Sequence, residues 1–277
     1  MNRNKLKTFK EKYSTARDHK RSILCIGLDP AVPYQRDTNV IPQSYLTRTN
    51  ENEARLQFCL DIIETTQRFC CAYKPNQQYV ASFTDIDHQK LTVAIRKTGS
   101  LAILDYKLND IGSSIESALY YIHKWGYDAV TFNPFLGNIE TTVRKAHSEK
   151  YALGIIILVL TSNTQAIRYQ KTARILNKPL YLAIAEDVKR YEADGCVVGA
   201  TGHISRKEVK KIRDVVGKQM VFLVPGIGTQ QGDPVKAIQA CGKNVLINVG
   251  RAIIYSEDPA AKANQYNTLF NTLRSPQ

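Results

Sequence analysis

Leu101-Ala102-Ile103-Leu104-Asp105-Tyr106-Lys107-Leu108-Asn109-Asp110, running on into Ile111-Gly112-Ser113-Ser114, is the stretch around which the chain is organised. Its apolar start has the pattern of a buried strand. On a strand, Asp105 and Lys107 lie two apart and point to the same side. Asp110 follows where the chain turns into a helix that begins near Ser113 or Ser114. An ammonium fixed between carboxylates at a strand end is a proton donor held in one place. An ion-paired strand end can equally be surface decoration of little energetic value. The surroundings therefore decide which it is.

Working outward, the same beat of apolar run, polar end and amphipathic helix recurs. Before it come Ile23 to Leu28, ending at Asp29-Pro30, and Cys70 to Tyr73, ending at Lys74-Pro75-Asn76. After it come Ala129 to Phe132, Gly154 to Val159, Cys196 to Gly199, Met220 to Val224 and Val245 to Val249. The first, second, fourth and fifth of these end at Asn133-Pro134-Phe135, Leu160-Thr161-Ser162-Asn163, Pro225-Gly226-Ile227-Gly228 and Gly250-Arg251. Helical spacing fills the intervals, as in Leu56, Leu60, Ile63 and Phe69 within 53–69. Continuous Val/Ile/Leu runs are typical of parallel strands buried on both faces. Eight such units in this length predict an α/β protein, a single (β/α)8 TIM barrel occupying 1–277 with its core at about 22–255. An N-terminal helix precedes it, and the first βα loop, Ala31 to Asn52, is extended.

Composition bounds the rest. The chain has 277 residues, 43% hydrophobic and 23% charged, enough for one large core. Its longest apolar run, Ala152 to Leu160, falls far short of the ~20 residues of a membrane span. The basic N-terminal stretch lacks the apolar segment of a secretory signal. A soluble, cytoplasmic protein without membrane association is expected. Six cysteines without Cys-x-x-Cys spacing read as free thiols in a reducing compartment. Five scattered histidines suggest no metal centre. The net charge of +13 raises an anionic partner, but Lys and Arg are spread along the chain and no nucleic-acid signature appears.

Active sites of this fold gather where strands end. Asp29, Lys74, Asp105, Lys107, Asn133, Ser162, Gly226 and Arg251 all occupy such ends. The glycines of Pro225-Gly226-Ile227-Gly228 let backbone approach an anion closely. The guanidinium opening the eighth loop, in Gly250-Arg251, can grip phosphate in bidentate fashion. Phosphate held by the loops after strands seven and eight is a recurring use of this barrel, so a phosphorylated small molecule is the expected ligand.

Over about Ile23 to Ile254, these motifs resemble the orotidine 5'-monophosphate decarboxylase family in order and kind. Asp105-x-Lys107-x-x-Asp110-Ile111 is similar to its catalytic signature, with Lys74 completing a Lys-Asp-Lys-Asp array. The resemblance implies that Lys107 protonates C6 after CO2 leaves, that Asp105 faces the substrate carboxylate and that Lys74 orders the array. It implies ribose contacts from Asp29, Asn76 and Ser114 (threonine in many members), and base contacts from Thr161 or Ser162 and from Gln230. Phosphate would fall to Gly226, Gly228, Gly250 and Arg251. It further implies a homodimer with Asp110 supplied across the interface, no metal and no cofactor. Association with orotate phosphoribosyltransferase is a further possible partnership.

Two other readings compete. A magnesium-dependent sugar-phosphate decarboxylase or aldolase of the same superfamily shares Asp-x-Lys-x-x-Asp, whereas Lys74-Pro75-Asn76 and Gln230 favour the nucleotide enzyme. A non-catalytic phosphate- or RNA-binding barrel would use the charge, but gives no reason for Lys74, Asp105 and Lys107 to converge.

Overall fold

The structure, a computed structural model, describes residues 7–47, 50–227 and 234–274. Eight parallel strands close into a barrel: β1 (Leu24–Leu28), β2 (Ala72–Pro75), β3 (Leu101–Leu108), β4 (Ala129–Phe132), β5 (Gly154–Leu160), β6 (Gly195–Val198), β7 (Val221–Val224) and β8 (Val245–Val249). Each pairs with its sequence neighbours, and β1 closes on β8 with Leu24 opposite Ile247 and Ile26 opposite Val249. The expected (β/α)8 architecture is the observed one.

Side-chain alternation divides the core into two layers. One layer lines the barrel interior and includes Cys25, Ala72, Leu101, Ile103, Ala129, Ile156, Val197, Leu223 and Leu246. The other packs strands against the surrounding helices. Period two carries the interior rows upward. One step past Ala72 is Lys74, past Ile103 is Asp105, and past Ala129 is Thr131. The apolar filling thus hands over to polar groups at the C-terminal mouth.

The N-terminal helix (Phe9–Lys20) closes the opposite end. Phe9 and Tyr13 belong to the interior cluster. Tyr13 Oη donates to the Val245 carbonyl at 2.9 Å and accepts from Val245 N at 3.1 Å. Arg17 Nη1 reaches Asn244 Oδ1 at 2.7 Å, and Lys12 Nζ pairs with Asp128 at 2.9 Å. A Cβ at Gly154 would lie 2.6 Å from Phe9 carbons, so the first residue of β5 must be glycine for this helix to seat. The six cysteines are free and buried; burial pushes the Cys25 thiol up to about 12.

Several local features differ from the pattern reading. The long first loop carries a short helix, Gln43–Leu46, and Arg251–Ile254 is helical directly after β8. The stretch 164–178 holds a π-helical turn (Ile167–Thr172) and a two-residue hairpin, Arg174–Ile175 with Lys178–Pro179. β2 runs past its apolar run, so Lys74 lies within it, and β3 carries Asp105 and Lys107 as the spacing predicts.

Candidate active site

Lys74, Asp105 and Lys107 meet at the barrel mouth. Lys74 Nζ lies 2.5 Å from Asp105 Oδ2, and Lys107 Nζ lies 2.8 Å from Asp105 Oδ1. The Lys74 and Asp105 side chains are only 7% and 13% exposed, whereas Lys107 is 51% exposed and faces the opening. Burial alone would raise the Asp105 pKa, but the charges of Lys74 and Lys107 outweigh it and hold the carboxyl well below the usual range. Burial would likewise lower the Lys74 pKa. Asp105, then Asp29, more than offset that, and it is raised. Asp105 is therefore an anion with both oxygens occupied by cations.

The backbone around this array is irregular. Leu104 pairs with Val130 and Leu108 with Phe132, so β3 bulges across Asp105 to Lys107. Lys107 sits at φ 51°, a left-handed conformation that costs a non-glycine residue about 1–3 kcal/mol. Thr131 supports it: Lys107 N donates to Thr131 Oγ1 at 2.9 Å, and that hydroxyl donates to Asp105 Oδ1 at 3.1 Å. Thr131 was not among the residues singled out by motif, although alternation from Ala129 points it inward.

The three charged groups open into a cavity of about 760 Å3 that also takes in Thr131, Asn133, Phe135, Thr161, Ser162, Tyr169 and Gln170. That volume suits a small-molecule ligand. Its roof is the π-helical turn, from which Gln170 Oε1 accepts from Thr161 N at 2.8 Å and from Thr161 Oγ1 at 3.2 Å. Gln170 was also missed, because nothing in a polar 15-residue stretch signals which side chain turns inward. The Ser162 backbone approaches Gly199 so closely that a Cβ there would fall 2.8 Å from Ser162 Cα.

Other expected site residues stand around this cavity rather than in its wall. Asp29 is half-buried just past β1, with its charge felt at Lys74. Asn76 bridges to Asp105 through the backbone, and its Oδ1 accepts from Gln78 N at 3.2 Å. Asp110 and Ser114 are exposed. Asp110 Oδ1 accepts from Ile111 N at 2.8 Å, and its carbonyl from Asn138 Nδ2 at 2.7 Å. Within one chain, then, Lys107 contacts Asp105 and is not held between two carboxylates. Gly226 is buried at φ 100°, a conformation that favours glycine. Gly250 packs against Gly27, whose Cβ position lies 3.2 Å from Gly250 Cα. The Arg251 guanidinium is half-buried and has no hydrogen-bond or ion-pair partner among the described residues. Gly228 and Gln230 lie outside the described residues.

Comparison with known proteins agrees with this geometry. The family described as Orotidine 5'-phosphate decarboxylase / HUMPS matches residues 22–266. An orotidine 5'-phosphate decarboxylase of Cupriavidus metallidurans is 35% identical over 261 residues, 90% of each chain. The structure of Leishmania donovani OMP decarboxylase superposes with a TM-score of 0.77 at 26% identity, covering 97% of this chain and 99% of that one. Leishmania donovani UMP synthase does so with a TM-score of 0.80 at 26% identity, covering 97% of this chain and 57% of that one. With the family pattern matched over nearly the whole barrel and the Lys74-Asp105-Lys107 array assembled at its mouth, the chain belongs to the orotidine 5'-phosphate decarboxylase / HUMPS family.

Proposed function

We propose that this chain converts orotidine 5'-phosphate to UMP and CO2, the last step of UMP synthesis. The observation that carries the reading is Asp105 clamped between Lys74 and Lys107 inside a family member's barrel mouth. Loss of CO2 from C6 breaks a C–C bond and leaves an electron pair in the ring plane, with no π-system to spread it. A fixed ammonium beside that carbon stabilises the charge and then delivers the proton. Lys107, the exposed member of the array, takes this part. Asp105 faces the departing carboxylate and Lys74 anchors Asp105. The required lowering of the barrier lies in the upper part of the ~8–23 kcal/mol that enzymes supply. The reaction so drawn needs no metal or cofactor.

In this reading Asp29 and Asn76 hold the ribose, with Ser114 of a second subunit. Thr161 or Ser162, with Gln230, meets the base. Gly226, Gly228, Gly250 and Arg251 take the phosphate. Asp110 serves the neighbouring site of a homodimer. Its exposure beside Ile111, Phe135 and Leu136, which are 57%, 81% and 46% exposed, supports an interface there. The chain works in this reading as a single barrel domain in the cytoplasm, where the preceding phosphoribosyltransferase is a candidate partner. No helix among the described residues is long and apolar enough to cross a membrane.

The direct test is product analysis: UMP and CO2 released one for one from orotidine 5'-phosphate. A protein inert on the nucleotide but active on a hexulose phosphate with magnesium would favour the sugar-phosphate reading. Remote binding energy can be used at the reacting centre. Arg251→Ala should therefore depress kcat/KM for the nucleotide about a hundredfold or more while barely changing turnover of phosphate-free orotidine. Equal losses on both would remove Arg251 from the phosphate site.

A further inference from the structure

The long loop after β1 sends one side chain back toward the site. Arg36 is half-buried among exposed neighbours, from Tyr34 and Gln35 to Asp37 and Thr38. Its Nη2 donates to the Asp29 carbonyl at 2.9 Å and to Tyr255 Oη at 3.2 Å. Its guanidinium lies 4.8 Å from the centre of the Tyr79 ring and 5.5 Å from that of Tyr255. Tyr255 Oη donates to the same Asp29 carbonyl at 2.7 Å and accepts from Ala31 N at 3.0 Å.

These contacts join three parts of the mouth. Asp29 ends β1. Tyr79 follows the Lys74 strand. Tyr255 caps the short helix that opens with Arg251, through its N–H to the Arg251 carbonyl at 3.2 Å. Three donors on one carbonyl, Arg36 Nη2, Tyr255 Oη and Ala31 N at 2.8 Å, fix the peptide plane after Asp29, and Pro30 already restricts the backbone of Asp29. Together they fix the backbone from which the Asp29 carboxylate extends. A planar fork that stacks on rings while donating in its own plane suits arginine and not lysine. Burial raises the Tyr255 pKa to about 12, so the hydroxyl keeps its proton and its donor role.

We infer that Arg36, with Tyr255, is a positioning residue that locks Asp29 for the ribose and couples it to the phosphate-gripping helix. The inference rests on the reading of Asp29 as a ribose contact. It gives the long first loop a purpose: Arg36 turns back to brace a residue seven positions earlier.

The test is a double-mutant cycle on kcat and KM for orotidine 5'-phosphate, using the full chain. Arg36→Ala and Tyr255→Phe should each lower kcat/KM about tenfold to a hundredfold, the loss expected when a contact group is misplaced by about an ångström. In an Asp29→Ala background the Arg36→Ala loss should largely vanish, because no carboxylate remains to be aimed. Tyr255→Phe removes one hydroxyl and keeps the ring stacked on Phe58 at 5.5 Å, so it serves if the arginine variant fails to fold. Folded variants with wild-type kinetics, or losses fully additive with Asp29→Ala, overturn the positioning role while the decarboxylase reading stands. An Asp29→Ala enzyme with wild-type kinetics overturns both the ribose assignment and the role of Arg36.

Discussion

Thr131 shows how a residue outside any motif can govern those within one. Its hydroxyl accepts from the Lys107 backbone N–H and donates to Asp105, linking the left-handed turn at Lys107 to the carboxylate it serves. A hydrogen bond to a charged group contributes about 1.5–3 kcal/mol. Thr131→Val, nearly the same shape without the hydroxyl, should therefore reduce kcat at least about tenfold with little change in KM. Unchanged kcat in the valine variant would make Thr131 ordinary packing. At this scale the charged residues were legible because Asp-x-Lys sits on a period-two element and both side chains must share a side. Thr131 follows the same alternation but carries no charge to draw notice. The bulge at β3 was not legible, since it arises from pairing with β4 and not from local propensity.

At the scale of elements, the eight strands were read from their apolar runs, because burial on both faces makes most strand positions apolar and leaves the polar ones near the C-terminal ends. The π-helical turn and hairpin over the cavity were not, since short irregular pieces obey tertiary contacts such as Gln170 with Thr161. The helix Asp85–Lys97 packs through His88, whose ring stacks on Trp125 with centroids 4.1 Å apart and whose Nδ1 lies 3.0 Å from Tyr127 Oη. Burial lowers the His88 pKa from 6.5 to about 4, against the pull of Asp87 and Asp85. The unfolded chain therefore takes up this proton first, and stability present above pH 6.5 is lost as pH falls toward 4. The drop amounts to up to about 3 kcal/mol. His147 works with the opposite sign. Its hydrogen bond to Asp194 raises its pKa, so its contribution is present below the unfolded value and lost as pH rises through the folded one. Thermal melts of His88→Phe should lose less stability between pH 6.5 and 4 than wild type. Parallel acid limbs for the two proteins would show that His88 is not the titrating group.

Across the whole molecule, the N-terminal helix seals one end of the barrel and leaves chemistry to the other. The closed barrel followed from counting strands and helices, while the seating of that helix under Tyr13 and Phe9 depended on contacts far apart in sequence. The proposed dimer rests on a residue that the single chain leaves outside its own array: Asp110 is turned to Ile111 and Asn138. If a two-fold dimer brings it to the partner's site, a mixture of inactive Asp110→Ala and Lys107→Ala chains should recover about a quarter of wild-type activity after random exchange. No recovery, with heterodimers demonstrated, would mean that each chain builds its site alone. The central claim rests on Lys107 as the acid of a metal-free decarboxylation. It is met most directly by following the ultraviolet band of orotidine 5'-phosphate in the presence of a chelator, with wild type and Lys107→Ala side by side. The account expects the band to disappear as UMP forms with wild type and to persist with the folded variant. Substantial turnover by the alanine variant, or a wild type that stops when chelator is added, would contradict it.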